Sequence, residues 1–475
     1  MRLLVLSCLL AGCLAQKPQP CSSPPLLSGA LTVSTQNEKL WTYAQYLYDA
    51  LGQRIRLMEV GTYENKSFTY DALLLFKQAT MYEINEHDRT CKKKPLKADF
   101  QPWAIPKDAS LLGQAVLGSS SGPGQGLLVN TWTGDLPEKT GKYMSTVTEF
   151  GCIPVSTVYH TDQYGWVVTS LFNNIVGMSD PSKLNPPDFC RDSEMQADSE
   201  EEPVDFLSLF LRKNYICPSH CCKSDISRRL EIELVVKGQG SEQSEAAAFL
   251  HLCVQRNLPS DNMRALVLFV CLTVGCLAQR PQPCTSPPLL TGRLYVSTQS
   301  ENLMAYARYS YDALRKRIRL SECGTYKNKT FHFDVLLLYE QAVMYKINYR
   351  NQTCCKKPLS VEFHPLAIPK NASLMGQTVT GSSSGPGQGL LVNNWWGELQ
   401  TKRGPAKYIS TVTEFGCIPV STLFHTNKNG WVVTGFFNNV VGLTDPQWLI
   451  PPNFCDGAQL EKEDGEDPAT FFSLF

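Results

Sequence analysis

The chain has 475 residues, 43% of them hydrophobic and 10% aromatic, so it is too long for one core and too apolar for global disorder. Lys+Arg and Asp+Glu both total 44. That balance excludes a strongly electrostatic partner, so no nucleic acid is expected.

Residues 1–15 read as a signal peptide. Arg2 precedes the apolar run Leu3 to Leu10, which closes on Cys13-Leu14-Ala15. The run is far short of the roughly 20 residues a membrane span needs. Leu10-Ala11-Gly12-Cys13 also fits a lipoprotein box, as the weaker reading. The expectation is a secreted, extracellular protein in an oxidising space where cysteines pair.

Beyond the signal the sequence says nearly everything twice. Gly118 to Asn130 (GSSSGPGQGLLVN) recurs unchanged as Gly381 to Asn393, and Ser145 to Thr157 (STVTEFGCIPVST) as Ser410 to Thr422. The offset is 263 at first and 265 after an insertion near Gly404-Pro405. Each copy ends in an acidic tail, Asp198 to Glu202 before Phe210 and Glu461 to Asp467 before Phe475. The expected organisation is therefore a first domain over 17–210 and a second over 280–475. Between them, 211–262 matches neither copy and is expected to be a disordered linker or the translated spacer of two fused genes. Residues 263–279 form a second signal-like apolar segment, or an internal anchor in the alternative of a true two-domain protein.

Within copy one, short strand-like runs follow one another. Leu31 to Ser34 and Arg54 to Leu57 alternate apolar and polar with period 2, the arginines Arg54 and Arg56 on one face. Trp41 to Tyr48, Ser67 to Phe76, Gly126 to Trp132, Tyr143 to Phe150, Ile153 to His160 and Trp166 to Val176 complete the set. Gly61, Asn65, Gly122-Pro123-Gly124 and Gly165 mark turns. Only Pro106 to Leu112, with Asp108 as N-cap, suggests a helical turn. The expected fold class is mainly β: a strongly curved antiparallel sheet, half-barrel or sandwich, with few short helices.

Cys21, Cys91, Cys152 and Cys190 are matched by Cys284, Cys354, Cys417 and Cys455. None lies two to four residues from another of the set, as zinc ligands usually do, so disulfides are favoured. Spacing alone leaves three pairings open, and leaves open whether Cys354 or Cys355 matches Cys91. Cys323 and Cys355 are extra. Sequons at Asn65, Asn328, Asn351 and Asn371 read as glycosylation sites.

Gly118-Ser119-Ser120-Ser121-Gly122 satisfies G-x-S-x-G, with Ser383 at the corresponding centre in copy two and His160 as a conceivable base. The Pro and Gly that follow argue against the helix a nucleophile elbow needs, so a serine hydrolase is a remote reading and no enzyme is expected. The abundant strand-borne aromatics form either packed core or the wall of an apolar pocket. Tyr43, Tyr48, Phe68, Tyr70, Trp132, Trp166 and Phe172 are the pocket candidates.

Each copy resembles the ependymin and ependymin-related family. The resemblance rests on Pro20-Cys21, Tyr48-Asp49-Ala50-Leu51 with Arg54-Ile55-Arg56, Phe150 to Val155 (FGCIPV), Phe172-Asn173-Asn174-Ile175 and Asp188-Phe189-Cys190. It implies a secreted calcium-binding glycoprotein, a homodimer linked to cell–matrix adhesion, with partners such as collagen. It also implies a fold similar to bacterial lipoprotein carriers, with a pocket for a hydrophobic or lipid-like ligand. The family pattern implies the pairs Cys21–Cys152, Cys91–Cys190, Cys284–Cys417 and Cys354–Cys455. Acidic candidates for calcium that occur in both copies are Asp49, Asp71, Glu149 and Asp180, with Asp312, Asp334, Glu414 and Asp445. The alternative is a matrix-interaction protein whose interior is only core.

Overall fold

A computed structural model describes residues 17–135, 142–161, 164–178, 180–191, 193–196, 280–299, 303–327, 329–401, 404–426 and 430–460. The signal-like segments, the stretch 211–262, the acidic tails and the Asn328 sequon position lie outside the described residues.

Copy one contributes β1 (Leu26–Thr35), β2 (Leu40–Asp49), β3 (Arg54–Tyr63), β4 (Lys66–Leu75), β5 (Thr80–Asn85) and β6 (Thr90–Pro95). It continues with β7 (Ser110–Gly118), β8 (Gly126–Asp135), β9 (Lys142–Thr148), β10 (Pro154–Thr161) and β11 (Gly165–Val176). All pairings within the copy are antiparallel, and the strands lie side by side as β7-β8-β9-β10-β11-β1-β2-β3-β4-β5-β6. The result is a barrel-like, mainly β architecture. Copy two repeats it from β12 (Leu289–Thr298) to β22 (Gly430–Val441), with β18 (Ser373–Gly381) in the place of β7.

Period 2 explains most of these strands. In β2 the even residues Leu40, Thr42, Ala44, Tyr46 and Tyr48 are all buried on the inner face. The apolar run at the end of β4 is buried on both faces. Ala72 and Leu74 belong to the inner core, whereas Leu73 and Leu75 pack outside with Leu47, Tyr82, Ile84, Leu184 and Cys190. That outer cover is the C-terminal segment of the copy folding back over β2–β5.

The cover corrects one expectation. Arg56 keeps the alternation read from sequence, but its face is not wet: it is 5% exposed, and its counterpart Arg319 is 1% exposed. Each guanidinium is gripped by an aspartate on the neighbouring strand, Arg56 by Asp71 at 2.7 Å and Arg319 by Asp334 at 2.8 Å. Each also donates to a carbonyl of the covering segment, Lys183 and Trp448 respectively. The second correction concerns Pro106 to Leu112. It forms one turn closed by the Ala109 amide on Pro106, then enters β7 at Ser110, so Asp108 caps no helix. The edge hairpin β5–β6 is not legible in the sequence, because Lys92, Lys93 and Lys94 interrupt its apolar pattern.

The two copies pack into one compact unit, and strands meet across the seam. Phe172 on β11 bridges to Thr380 on β18, and Phe437 on β22 bridges to Leu117 on β7.

Candidate functional site

The inner face of copy one sets Tyr46, Tyr48, Leu57, Ala72 and Leu74 as a buried floor. Half-buried rings of Tyr63, Tyr70, Phe76, Phe100 and Trp103 lean against it. Trp103 stacks on Tyr48 with centroids 4.5 Å apart and planes 12° apart, and meets Tyr46 edge-on at 5.1 Å. Phe100 extends the row, 6.0 Å from Tyr48 and 5.2 Å from Phe76. The Trp103 amide donates to the Tyr48 hydroxyl at 2.9 Å, which fixes the loop that carries both Trp103 and Phe100.

Copy two builds the same wall from Tyr311, Tyr339 and Phe363, with the Leu366 amide donating to Tyr311 at 3.0 Å. Leu366 stands where copy one has Trp103. Burial pushes the Tyr339 phenol up to about 12 and raises Tyr46 and Tyr309 as well. These hydroxyls are therefore neutral donors at physiological pH. Each copy also buries a carboxyl on this face, Glu59 opposite Ala44 and Tyr70, and Glu322 opposite Ala307 and Phe333. Sequence reasoning missed Phe100 and Glu59. Phe100 sits outside any strand, and Glu59 interrupts an otherwise apolar face.

The structure does not gather the seven aromatic candidates into one wall. Tyr48, Tyr70 and, by strand alternation, Phe68 share the inner face. Tyr43 and Phe172 lie on the opposite face and approach each other at 6.3 Å. Trp166 is also outward, edge-on to His160 at 5.3 Å, because its neighbour Val167 is the inner-core residue. Trp132 belongs to a separate cluster with Ile105, Val147 and Cys152. A list of aromatics carries no face; alternation around a known inner residue supplies one.

The eight acidic candidates are likewise dispersed, each with a protein partner. Asp49 pairs with Arg54 and Asp312 with Arg317, both at 2.6 Å, while Asp71 and Asp334 hold the buried arginines. Glu149 accepts from Gln114 and Asn130, and Glu414 from Gln377 and Asn393. Asp180 and Asp445 cap short 3-10 turns through the amides of Ser182 and Gln447. Among the described residues no three His, Cys, Asp or Glu side chains converge on a metal position. These eight do not converge on one another among the described residues.

Four disulfides are present, Cys21–Cys152, Cys91–Cys190, Cys284–Cys417 and Cys354–Cys455, the pairs the family pattern implied. Cys354 thus takes the position of Cys91, and Cys323 forms no disulfide with another described residue. Asn65, Asn351 and Asn371 are exposed in turns and loops, open to glycan attachment. Ser120 lies in the hairpin between β7 and β8, with no helix after it, so no elbow presents it as a nucleophile. No helix of the described residues is long and apolar enough to cross a membrane.

The Ependymin family pattern matches residues 64–190 and 327–455, together more than half of the chain. Ependymin of Notemigonus crysoleucas is 35% identical over 210 residues, covering 44% of this chain and 95% of that protein. Mammalian ependymin-related protein 1 of Mus musculus is 34% identical over 183 residues, covering 38% of this chain and 80% of that protein. Among solved structures, an uncharacterized conserved protein from Thermus thermophilus aligns over 37% of this chain and 90% of its own. Its TM-score is 0.25 and its identity 10%.

Proposed function

The chain belongs to the ependymin family, and on that premise we propose that it is a secreted glycoprotein whose two repeats each bind a hydrophobic, lipid-like ligand on the inner face of the sheet. The observation that carries the reading is the row of half-buried rings, Phe76, Phe100 and Trp103, against the buried apolar floor of the sheet. A sheet serving only as core would seal such rings, whereas here solvent reaches them. The neutral tyrosine hydroxyls and one buried carboxyl per repeat would orient a polar head group.

Secretion and glycosylation rest on the signal-like start and the exposed sequons. Adhesion to matrix such as collagen and calcium binding enter through the family alone. Calcium is proposed to bind carboxylates other than these eight, which are already ion-paired, hydrogen-bonded or capping, and no part of the ligand reading depends on it.

Native mass spectrometry and solvent extraction of chain purified from culture medium test the reading. Co-purifying amphiphile, released with Tyr48→Ala and Phe100→Ala, is the expected result. An empty interior that takes up no fluorescent fatty-acid probe would favour the matrix-interaction alternative. Chelator-sensitive binding to immobilised collagen would support the adhesive role.

A further inference from the structure

We propose that one position, Glu83 in repeat one and Lys346 in repeat two, sets the head group each inner face accepts, so that the two repeats sort amphiphiles by charge. Repeat two takes an acidic head, and repeat one an uncharged or cationic head. This sorting presupposes that the inner faces take amphiphiles and names the chemistry that separates the two sites.

Strand register places a polar set on each inner face, because residues directly opposite on antiparallel strands share a face. In repeat one Glu59 lies opposite Tyr70, Glu83 opposite Ala72 and Lys94 opposite Met81. Ala72 and Met81 belong to the inner core, and Tyr70 packs against it. Repeat two builds the same set on β14 (Arg317–Tyr326), β15 (Lys329–Leu338), β16 (Val343–Asn348) and β17 (Thr353–Pro358). There Glu322 lies opposite Phe333, Lys346 opposite Val335 and Lys357 opposite Met344. Val335 is inner core, and Phe333 and Met344 pack against it.

The two sets differ in charge. Glu59 and Lys94 recur as Glu322 and Lys357, but Glu83 becomes Lys346 and Tyr70 becomes Phe333. In repeat one Glu83 pairs with the buried Lys94 and accepts from the Tyr70 hydroxyl at 3.1 Å. Repeat two has an ammonium where that carboxylate stood and a plain ring where the hydroxyl stood. The Lys346 ammonium lies 5.9 Å from the centroid of Phe333, which holds it over the apolar face. Of the buried and half-buried members, repeat one thus has Glu59 and Glu83 against Lys94, and repeat two has Glu322 against Lys346 and Lys357. Lys92 also faces inward by register but is exposed, and Cys355 stands in its place.

The sign of each set does not depend on how its members pair within the chain. An acidic head entering repeat one adds a third negative charge beside one ammonium, at low dielectric where like charges repel strongly. The same head entering repeat two balances an excess ammonium. Selectivity is a difference between affinities, and this exchange raises one while lowering the other.

A fluorescent fatty acid, with the alcohol and the amine of the same tail, tests the proposal on the full chain. Tyr48→Ala with Phe100→Ala disables repeat one, and Tyr311→Ala with Phe363→Ala disables repeat two. With repeat one disabled, the acid should bind about tenfold more tightly than the amine. Lys346→Glu, which restores the carboxylate of repeat one, should reverse that order, and the milder Lys346→Gln should abolish it. With repeat two disabled, the amine and alcohol should bind more tightly than the acid, and Glu83→Lys should bring the acid forward. Near-ultraviolet circular dichroism identifies folded variants, and any one of the three exchanges that folds suffices. Butyrate, which has the head without the tail, should not displace the fatty acid; displacement would assign the lysines to a free anion and overturn the sorting of amphiphiles. Failure of all three probes to bind the unaltered chain overturns the ligand reading itself. Binding that ignores the head group, or an order that folded variants at 83 and 346 leave unchanged, overturns the charge sorting alone.

Discussion

The seam and the inner walls have diverged unequally between the two repeats. At the seam, residues 118–130 and 145–157 are repeated letter for letter in copy two. On the inner wall Trp103 becomes Leu366 and Phe76 becomes Tyr339. Under the tail, exposed Glu86 assists Arg56, whereas Arg319 is held by Tyr349 and lies over Trp448. A seam residue must fit its own sheet and the opposite repeat's copy of the same motif, so a change there is felt twice. A wall residue meets only its own repeat. The two repeats therefore share one mode of pairing and present two different interiors.

Removing the tail staple gives the largest expected effect and treats the repeats alike. Cys91→Ser/Cys190→Ser and Cys354→Ser/Cys455→Ser open loops of similar span, 99 and 101 residues. Each pair should cost about 4–5 kcal/mol in urea unfolding. A marked inequality between them would break the claim that the repeats share one architecture.

Arg319→Met and Arg56→Met come next. Each leaves an aspartate with its buried partner removed, at a cost of about 3–5 kcal/mol. Arg319 should be at the upper end, because Trp448 and Tyr349 also rest on its guanidinium. Equal losses would remove the distinction drawn between the two tails.

Asn174→Ala and Asn439→Ala should each cost about 1–3 kcal/mol, by leaving the Gly381 or Gly118 carbonyl and a tyrosine hydroxyl in want of a partner. Their near equality, measured by thermal unfolding, is what an isologous seam demands. Trp103→Leu sharpens the other side of the comparison. It should lower probe affinity in repeat one by about tenfold or less, toward that of repeat two.

The smallest effect is on acid stability. Burial raises the Asp49 carboxyl, but the Gly52 amide and Arg54 outweigh it, so the group lies below its ordinary 3.8. Its stabilisation is full above that value and is lost as pH falls through the lowered one. Asp49→Asn should flatten the acid limb of the stability profile; an unchanged limb would show that the pair contributes nothing there.

Alternation made much of each sheet legible, since apolar side chains two apart must share a face. Strands β1–β4 and β8–β11 were readable for that reason, whereas β7 was hidden behind a false helix start at Asp108. The aromatic wall was only half legible. Tyr48 and Tyr70 could be named, but Tyr43, Trp166 and Phe172 differ from them only in parity relative to an inner residue. Phe100 reaches the wall from a loop, where no period exists to mark it.

By itself, the sequence determined that there are two repeats, that they are mainly β, and which family they belong to. All three are written in local patterns and recurrence along the chain. Only the tertiary structure decided that Arg56 and Arg319 are covered, that the eight acids do not converge, and that the identical runs face one another. Those facts depend on which strands far apart in sequence become neighbours. A Gly-rich run reads as a plain hairpin until the Asn173-Asn174 bulge of the other repeat is seen to close over its counterpart.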